Sequence, residues 1–240
     1  MSRAGRKVLT CVTLSAISVH TAISVELSPW AIQAIDKLRR AFLWKGTASV
    51  HGGHCMVAWP KCCRPAELGG LGIPDLKLMG LSLRLRWEWL RRTDETKTWT
   101  TLPAAPDALC SALFRVSITV QLGDEKKALF WTDNWVNGSS IEFLAPCLFA
   151  AVPAKAKRSM TVAQGLLNSS WTQDIKGALT VQVILEYLTI WETVWSYQLL
   201  DGVSDSFLWR WSTDHQYSAS SAYTAMFYGA NCCAGGKAAP

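Results

Sequence analysis

Five side chains in one short stretch have the chemistry of zinc ligands: His51, His54, Cys55, Cys62 and Cys63. A structural zinc site takes four such donors, usually as two knuckles of closely spaced pairs. These five do not follow that spacing. They read instead as a loop with incidental polar residues beside buried thiols, so no metal is expected. Cys232 and Cys233 make a poorer pair still, because adjacent residues rarely aim both thiolates at one ion. Nucleophilic chemistry has no better footing. The four His, at His20, His51, His54 and His215, sit in no recognisable catalytic setting, and no G-x-S-x-G elbow occurs. Gly69-Gly70-Leu71-Gly72 lacks the Lys-Ser/Thr ending of a phosphate-binding loop and the spacing of a dinucleotide fingerprint, and reads as a tight turn ahead of a helix. Asp124 and Glu125, beside Lys126 and Lys127, read as a solvated hairpin tip rather than an acid–base pair. No cofactor is expected.

What remains is positive charge. Lys37, Arg39, Arg40 and Lys45 lie on or beside one helix expected from the sequence, Arg84, Arg86, Arg91 and Arg92 on another, and Lys61 and Arg64 in the loop between. Such side chains neutralise phosphates and release counterions, and nearby Trp can stack on unpaired bases. The partner they suit is RNA or single-stranded DNA, bound without sequence preference. The competing reading is ordinary helix-face pairing: Asp36 precedes Arg40 by four, and Glu88 stands four from both Arg84 and Arg92. The charge is uneven along the chain. Residues 1–97 carry fifteen Lys and Arg against seven Asp and Glu, and residues 98–240 carry nine against eleven, so only the front suits a polyanion.

The elements that must position these residues are mostly helical. Residues 3–20 form an expected amphipathic helix. Ser28 caps a second, with Pro29 in its first turn and Ile32, Ile35, Leu38, Phe42 and Leu43 on one face to about Trp44. Cys55 to Trp59 suggests a short strand. A helix from about Asp75 to Arg92 puts Leu76, Met79, Leu83, Trp87 and Leu90 on one side. Thr93 to Pro106 reads as a linker, Ala108 to Phe114 as a short helix, and Leu122 to Trp135 as a small hairpin turning at Gly123. A Trp-rich helix spans Thr180 to Leu199, an aromatic strand Phe207 to Trp211, and a last helix, capped by Ser218, reaches Tyr228 before a loose tail. The fold class is therefore α+β and predominantly α-helical: a basic helical region over 1–97, then a mixed region over 98–240.

The 240 residues are half hydrophobic and include thirteen Trp, enough to bury a core. Eight scattered Cys show no disulfide framework and suit a reducing compartment, nuclear or cytoplasmic. No apolar run approaches the roughly 18 residues that span a bilayer, so no membrane is expected as partner. Arg3, Arg6 and Lys7 ahead of Val8 to Val19 mimic an export signal, which Thr10, Thr13, Ser15 and Ser18 weaken.

Several strings, in order, resemble plant LINE-type (non-LTR) retrotransposon reverse-transcriptase polyproteins. They are Ser2-Arg3-Ala4-Gly5-Arg6; Pro29-Trp30 followed by Ile35-Asp36-Lys37-Leu38-Arg39-Arg40-Ala41-Phe42-Leu43-Trp44-Lys45-Gly46; and Val57-Ala58-Trp59 with Cys63-Arg64-Pro65. Gly69-Gly70-Leu71-Gly72-Ile73 with Asp75-Leu76, then Phe130-Trp131-Thr132-Asp133-Asn134-Trp135, then Tyr217-Ser218-Ala219-Ser220-Ser221-Ala222-Tyr223 continue the series. The resemblance covers residues 2 to about 230. It implies a thumb- or connector-like first region and a second leading into a truncated zinc-binding reverse-transcriptase domain. Glu125 stands where the family usually has a Gly, Met1 stands where polyprotein sequence would continue, and the Cys/His module expected after Tyr223 is missing. The family's polymerase carries an Asp-Asp pair for two metal ions, and this sequence has none. The resemblance thus implies a retroelement origin without polymerase or endonuclease activity in this chain. The alternative is a domesticated interaction protein that docks a partner through the helix bearing Trp191 and Trp195.

Overall fold

A computed structural model describes residues 1–23, 25–49, 55–94, 96, 98, 108–123, 126–195, 197 and 204–234, with side chains to Tyr228. In chain order come α1 (Arg3–Leu9), a π turn (Thr10–Leu14), α2 (Ser15–Ala22), α3 (Pro29–Lys45), α4 (Trp59–Cys62), a 3₁₀ turn (Ala66–Leu68) and α5 (Leu76–Thr93). Then follow α6 (Ala108–Ser117), β1 (Ile118–Gln121), α7 (Ile141–Leu144), α8 (Pro146–Ala150), α9 (Ala154–Ser159) and α10 (Val162–Leu166). A 3₁₀ stretch (Leu167–Asp174), α11 (Val181–Trp195), β2 (Ser206–Trp209) and α12 (Ala219–Ala234) complete the order. The protein is predominantly helical, with a small two-stranded antiparallel sheet. It divides into two compact units: Met1–Trp87 with the segment that begins at Tyr217, and Glu88–Gln216.

Local caps set the helix starts of the first unit. Ser2 Oγ accepts from Gly5 N–H at 3.2 Å, Ser28 Oγ accepts from Ala31 N–H at 3.3 Å, and Asp75 Oδ1 accepts from Lys77 and Leu78 N–H at 3.0 and 3.1 Å. The first helical stretch widens to π geometry where Ser15 Oγ donates to Thr10 O at 2.7 Å. Gly46 ends α3 at φ 78°, a left-handed position that Gly tolerates without strain. The expected strand over Cys55 to Trp59 does not form. Trp59 instead opens α4, with Pro60 in the first turn where its missing N–H costs nothing. Behind α4, Leu43, Trp59, Cys62, Cys63 and Ile73 make a buried cluster. Gly70 is required there: a Cβ would collide with the Arg64 carbonyl. The chain from Tyr217 into α12 joins this unit through two phenols. Tyr223 Oη accepts from Asp75 N–H at 2.8 Å, and Tyr217 Oη donates to Ser82 O. α12 also continues through Ala234, where the sequence suggests a loose tail.

The second unit is built on aromatic rings. Phe130, Trp131, Trp171 and Trp209 are fully buried. Phe130 stacks on Trp171 at 5.9 Å, and a Cβ at Gly165 would lie 2.5 Å from the Phe130 ring. The expected local hairpin over Leu122 to Trp135 is replaced by a long-range pairing: β1 runs antiparallel to β2, with Ile118 opposite Trp209 and Gln121 opposite Ser206. Ala128 to Phe130 pairs elsewhere. Val162 N–H donates to Ala128 O at 2.8 Å and Phe130 N–H to Met160 O at 2.9 Å. The proposed hairpin tip at Asp124 and Glu125 lies outside the described residues. Glu186, buried on α11, holds the start of α8 by accepting Leu148 N–H at 2.8 Å.

Candidate nucleic-acid interface

α3 separates its cations by depth. Arg39 is fully buried. Its guanidinium donates to Asp36 Oδ1 at 2.7 Å, Ser15 Oγ at 2.9 Å and Pro74 O at 2.6 Å, and lies over the Trp59 ring at 5.3 Å. Arg39 therefore ties α2, α3 and the approach to α5 together, and is not presented to solvent. Burial raises the Asp36 carboxyl above its usual range, with Arg39 opposing. Lys37 and Lys45 are exposed and Arg40 is half-buried. Trp30, 77% exposed, shares the outer face with Lys37 seven residues on and Lys45 fifteen on. Lys61 is exposed on α4, and Arg64 is half-buried just beyond it. On α5, Arg86 is exposed and Arg84 half-buried.

Arg91 and Arg92 fall in the second unit and are engaged there. Arg91 approaches Glu88 at 3.8 Å. Arg92 forks onto the buried Asp133, at 3.1 and 3.4 Å, donates to Lys127 O at 3.3 Å, and lies over the Phe207 ring at 5.6 Å. The ion pairs drawn for Asp36 and Glu88 are thus i,i+3 to Arg39 and Arg91, and Arg92 turns to a carboxylate 41 residues away. For Asp36 and for Arg92, helix-face spacing foresaw pairing but not the partner.

The Phe130–Trp135 string is a folding device. Asp133 Oδ2 accepts Leu129 N–H at 2.8 Å as well as Arg92. Asn134 Nδ2 donates to Arg115 O and Ile118 O at 2.6 and 2.8 Å, and Trp135 Nε1 donates to Phe130 O at 2.8 Å. Burial pushes the Asp133 carboxyl above its ordinary range, while Arg92 and the Leu129 N–H pull it down. Asp205, which nothing in the sequence singled out, accepts three backbone N–H groups, from Gly123, Lys127 and Ala128, at 2.9 to 3.0 Å. Among the described residues, these two buried carboxylates are spent on backbone and guanidinium.

The zinc-like stretch is divided. Cys62 and Cys63 are buried in the first unit's cluster, and burial pushes the Cys63 thiol from 9.0 up to about 12, against the thiolate a metal needs. Cys55 is half-buried, and His51 and His54 lie outside the described residues. Among the described residues no three His, Cys, Asp or Glu side chains gather as a metal site. On α11, Trp191 and Trp195 stack at 6.0 Å and, with Trp171 and Tyr197, line a cavity of about 240 Å³. No helix among the described residues is long and apolar enough to cross a membrane.

The chain resembles a plant protein along nearly all of its length. It is 27% identical, over 253 aligned positions, to the "Putative ribonuclease H protein" of Arabidopsis thaliana. The alignment covers 94% of this chain and 39% of the Arabidopsis protein, so the chain spans about two fifths of that relative. No protein-family model matches, and neither does any solved structure. A similarity this extensive reaches into both units, the basic one and the aromatic one.

Proposed function

We propose that this chain is a non-catalytic part of a plant LINE-type retrotransposon reverse-transcriptase polyprotein, from between the polymerase and the C-terminal zinc-binding domain. In this reading its first unit grips single-stranded RNA or DNA without sequence preference. The observation that carries it is the charge of that unit: residues 1–87 hold twelve Lys and Arg against four Asp and Glu, and two of those acids, Asp36 and Asp75, are spent on Arg39 and on the α5 cap. Residues 88–216 hold eleven against fourteen, so the excess belongs to one unit. Lys37, Lys45, Lys61 and Arg86 are exposed on it, with Trp30 among them. Similarity to a plant protein named for ribonuclease H supports the nucleic-acid setting.

The test is anisotropy of labelled single-stranded RNA and DNA against the purified chain over a salt series, beside primer-extension and nuclease assays with magnesium. Expected are salt-dependent binding, tolerant of sequence, and no turnover. Chelator-sensitive primer extension lost on changing a carboxylate of this chain would refute the non-catalytic reading, and salt-independent or absent binding would refute the nucleic-acid one. A second reading rests on α11, where Val181, Ile184, Leu185, Leu188 and Trp195 are all exposed. Such a stripe suits a protein partner. Self-association or partner binding that ignores salt and is lost in Leu188→Arg would favour it.

A further inference from the structure

In the first unit, α1 packs against the C-terminal part of α3. Between them lies a cavity of about 230 Å³ lined by Arg3, Ala4, Lys7, Leu43, Trp44 and Leu71. Its exposed lining is almost wholly apolar, so Arg3 and Lys7 contribute their aliphatic stems and carry charge to the rim. Four residues apart, they occupy one face of α1. The Arg6 side chain lies against Gly46 at the end of α3, the negative pole of that helix. Exposed Lys45 follows Trp44 directly. Among the described residues no carboxylate lines this cavity. The space is below the roughly 300–1,000 Å³ of drug-sized pockets, which suits one planar ring rather than a larger ligand.

We infer that this cavity takes one nucleotide of a single-stranded nucleic acid, its base against Trp44 and Leu71 and its flanking phosphates on Arg3 and Lys7. The inference rests on the nucleic-acid reading above and adds Arg3 and Lys7 to the cations that sequence spacing suggested. An aromatic wall accepts any base face, and the two rim cations neutralise the strand.

The experiment uses the full chain with oligouridylate carrying 5-iodouridine, near-ultraviolet cross-linking, and mass mapping of the adduct. It is paired with anisotropy salt titrations of the wild type, Trp44→Phe, Trp44→Leu and the double variant Arg3→Ala/Lys7→Ala. The adduct is expected on Trp44. Trp44→Phe should keep binding, and Trp44→Leu should weaken it roughly 5- to 150-fold. Losing two phosphate contacts should flatten the salt slope by about 1.4, at about 0.7 per contact for single strands. The double variant alters only rim side chains, so it stays informative if Trp44→Leu folds poorly. Wild-type binding with an adduct elsewhere, such as Trp30, and an unchanged slope in the double variant would overturn this site while leaving the nucleic-acid reading intact. No binding by the wild type would remove both. Displacement of the strand by a fatty acid but not by free uridine monophosphate would assign the cavity to an acyl anion and overturn the inference.

Discussion

Arg92→Ala should destabilise the second unit by an amount that depends on pH. The Asp133 side chain has no exposure and Arg92 retains 23%. Arg92 donates to both carboxylate oxygens, so its removal leaves Asp133 with the Leu129 N–H alone among the bonds described above. Stripping one partner from a buried pair costs about 3–5 kcal/mol, and the partial exposure of Arg92 brings this to about 2–4 kcal/mol. The sign with pH follows from Asp133. Burial already holds its carboxyl above the ordinary 3.8, and Arg92 is the strongest of the groups opposing that. Without Arg92 the value climbs further. A carboxyl whose folded value is raised contributes stability that is complete below its unfolded value and lost as pH rises through the folded one. The penalty of Arg92→Ala is therefore largest at neutral pH and shrinks as pH falls into the carboxylate range. Urea unfolding followed by near-ultraviolet circular dichroism at about pH 7 and about pH 4.5 reads both quantities. Repeating the pair in an Asp133→Asn background should abolish the pH dependence. A penalty below about 0.5 kcal/mol, the size of an ordinary surface change, or one equal at both pH values, would refute this account.

Arg39→Ala should cost about 3–5 kcal/mol of stability, because it leaves Asp36, Ser15 Oγ and Pro74 O without their donor. Lys37→Ala should stay within about 0.5 kcal/mol of wild type in stability and instead lower the salt slope of RNA binding by about 0.7. Cys63 and Tyr223 are pushed by burial from 9.0 and 10.0 up to about 12. Both hold their protons more tightly folded than unfolded, so stability should fall as pH rises from about 9 toward 12, and Cys63→Ala should flatten the lower part of that limb in a pH series of thermal melts. Gly70→Ala should cost at least the 1–3 kcal/mol of an overpacked core, since its Cβ meets backbone rather than a movable side chain, and thermal melting would show it.

Helix starts were legible in the sequence because they are local. Ser28 with Pro29, Asp75 ahead of α5, and Ser218, whose hydroxyl accepts Ser221 N–H at 3.0 Å, satisfy N–H groups two or three residues away, so residue type and spacing suffice to find them. The helical weighting and the basic front half were readable for the same reason, but the buried faces only in part: on α3 Leu38 is exposed while Arg39 and Ala41 are buried, and on α5 Trp87 is exposed while Leu85 and Trp89 are buried. Partners distant in the chain were not readable. Gln121 had many possible strand neighbours and pairs with Ser206, 85 residues on. The alternation around Ala128 to Trp131 looked like the second arm of a hairpin, yet both Phe130 and Trp131 are buried and the backbone there bonds to Met160 and Val162. Loop closure rises only slowly with length, so it does not strongly favour the nearer partner, and packing of the aromatic core decides. The same holds for the cations. Spacing placed Lys37, Arg39 and Arg40 together on α3, and gave Arg92 a neighbour at Glu88. Only the packed chain provided an interior with Ser15 and Pro74 O for Arg39, and a buried Asp133 for Arg92. Sequence determined which residues carry charge and where helices begin, whereas tertiary structure decided which of those charges face water, because desolvation depends on neighbours that the chain brings from far away.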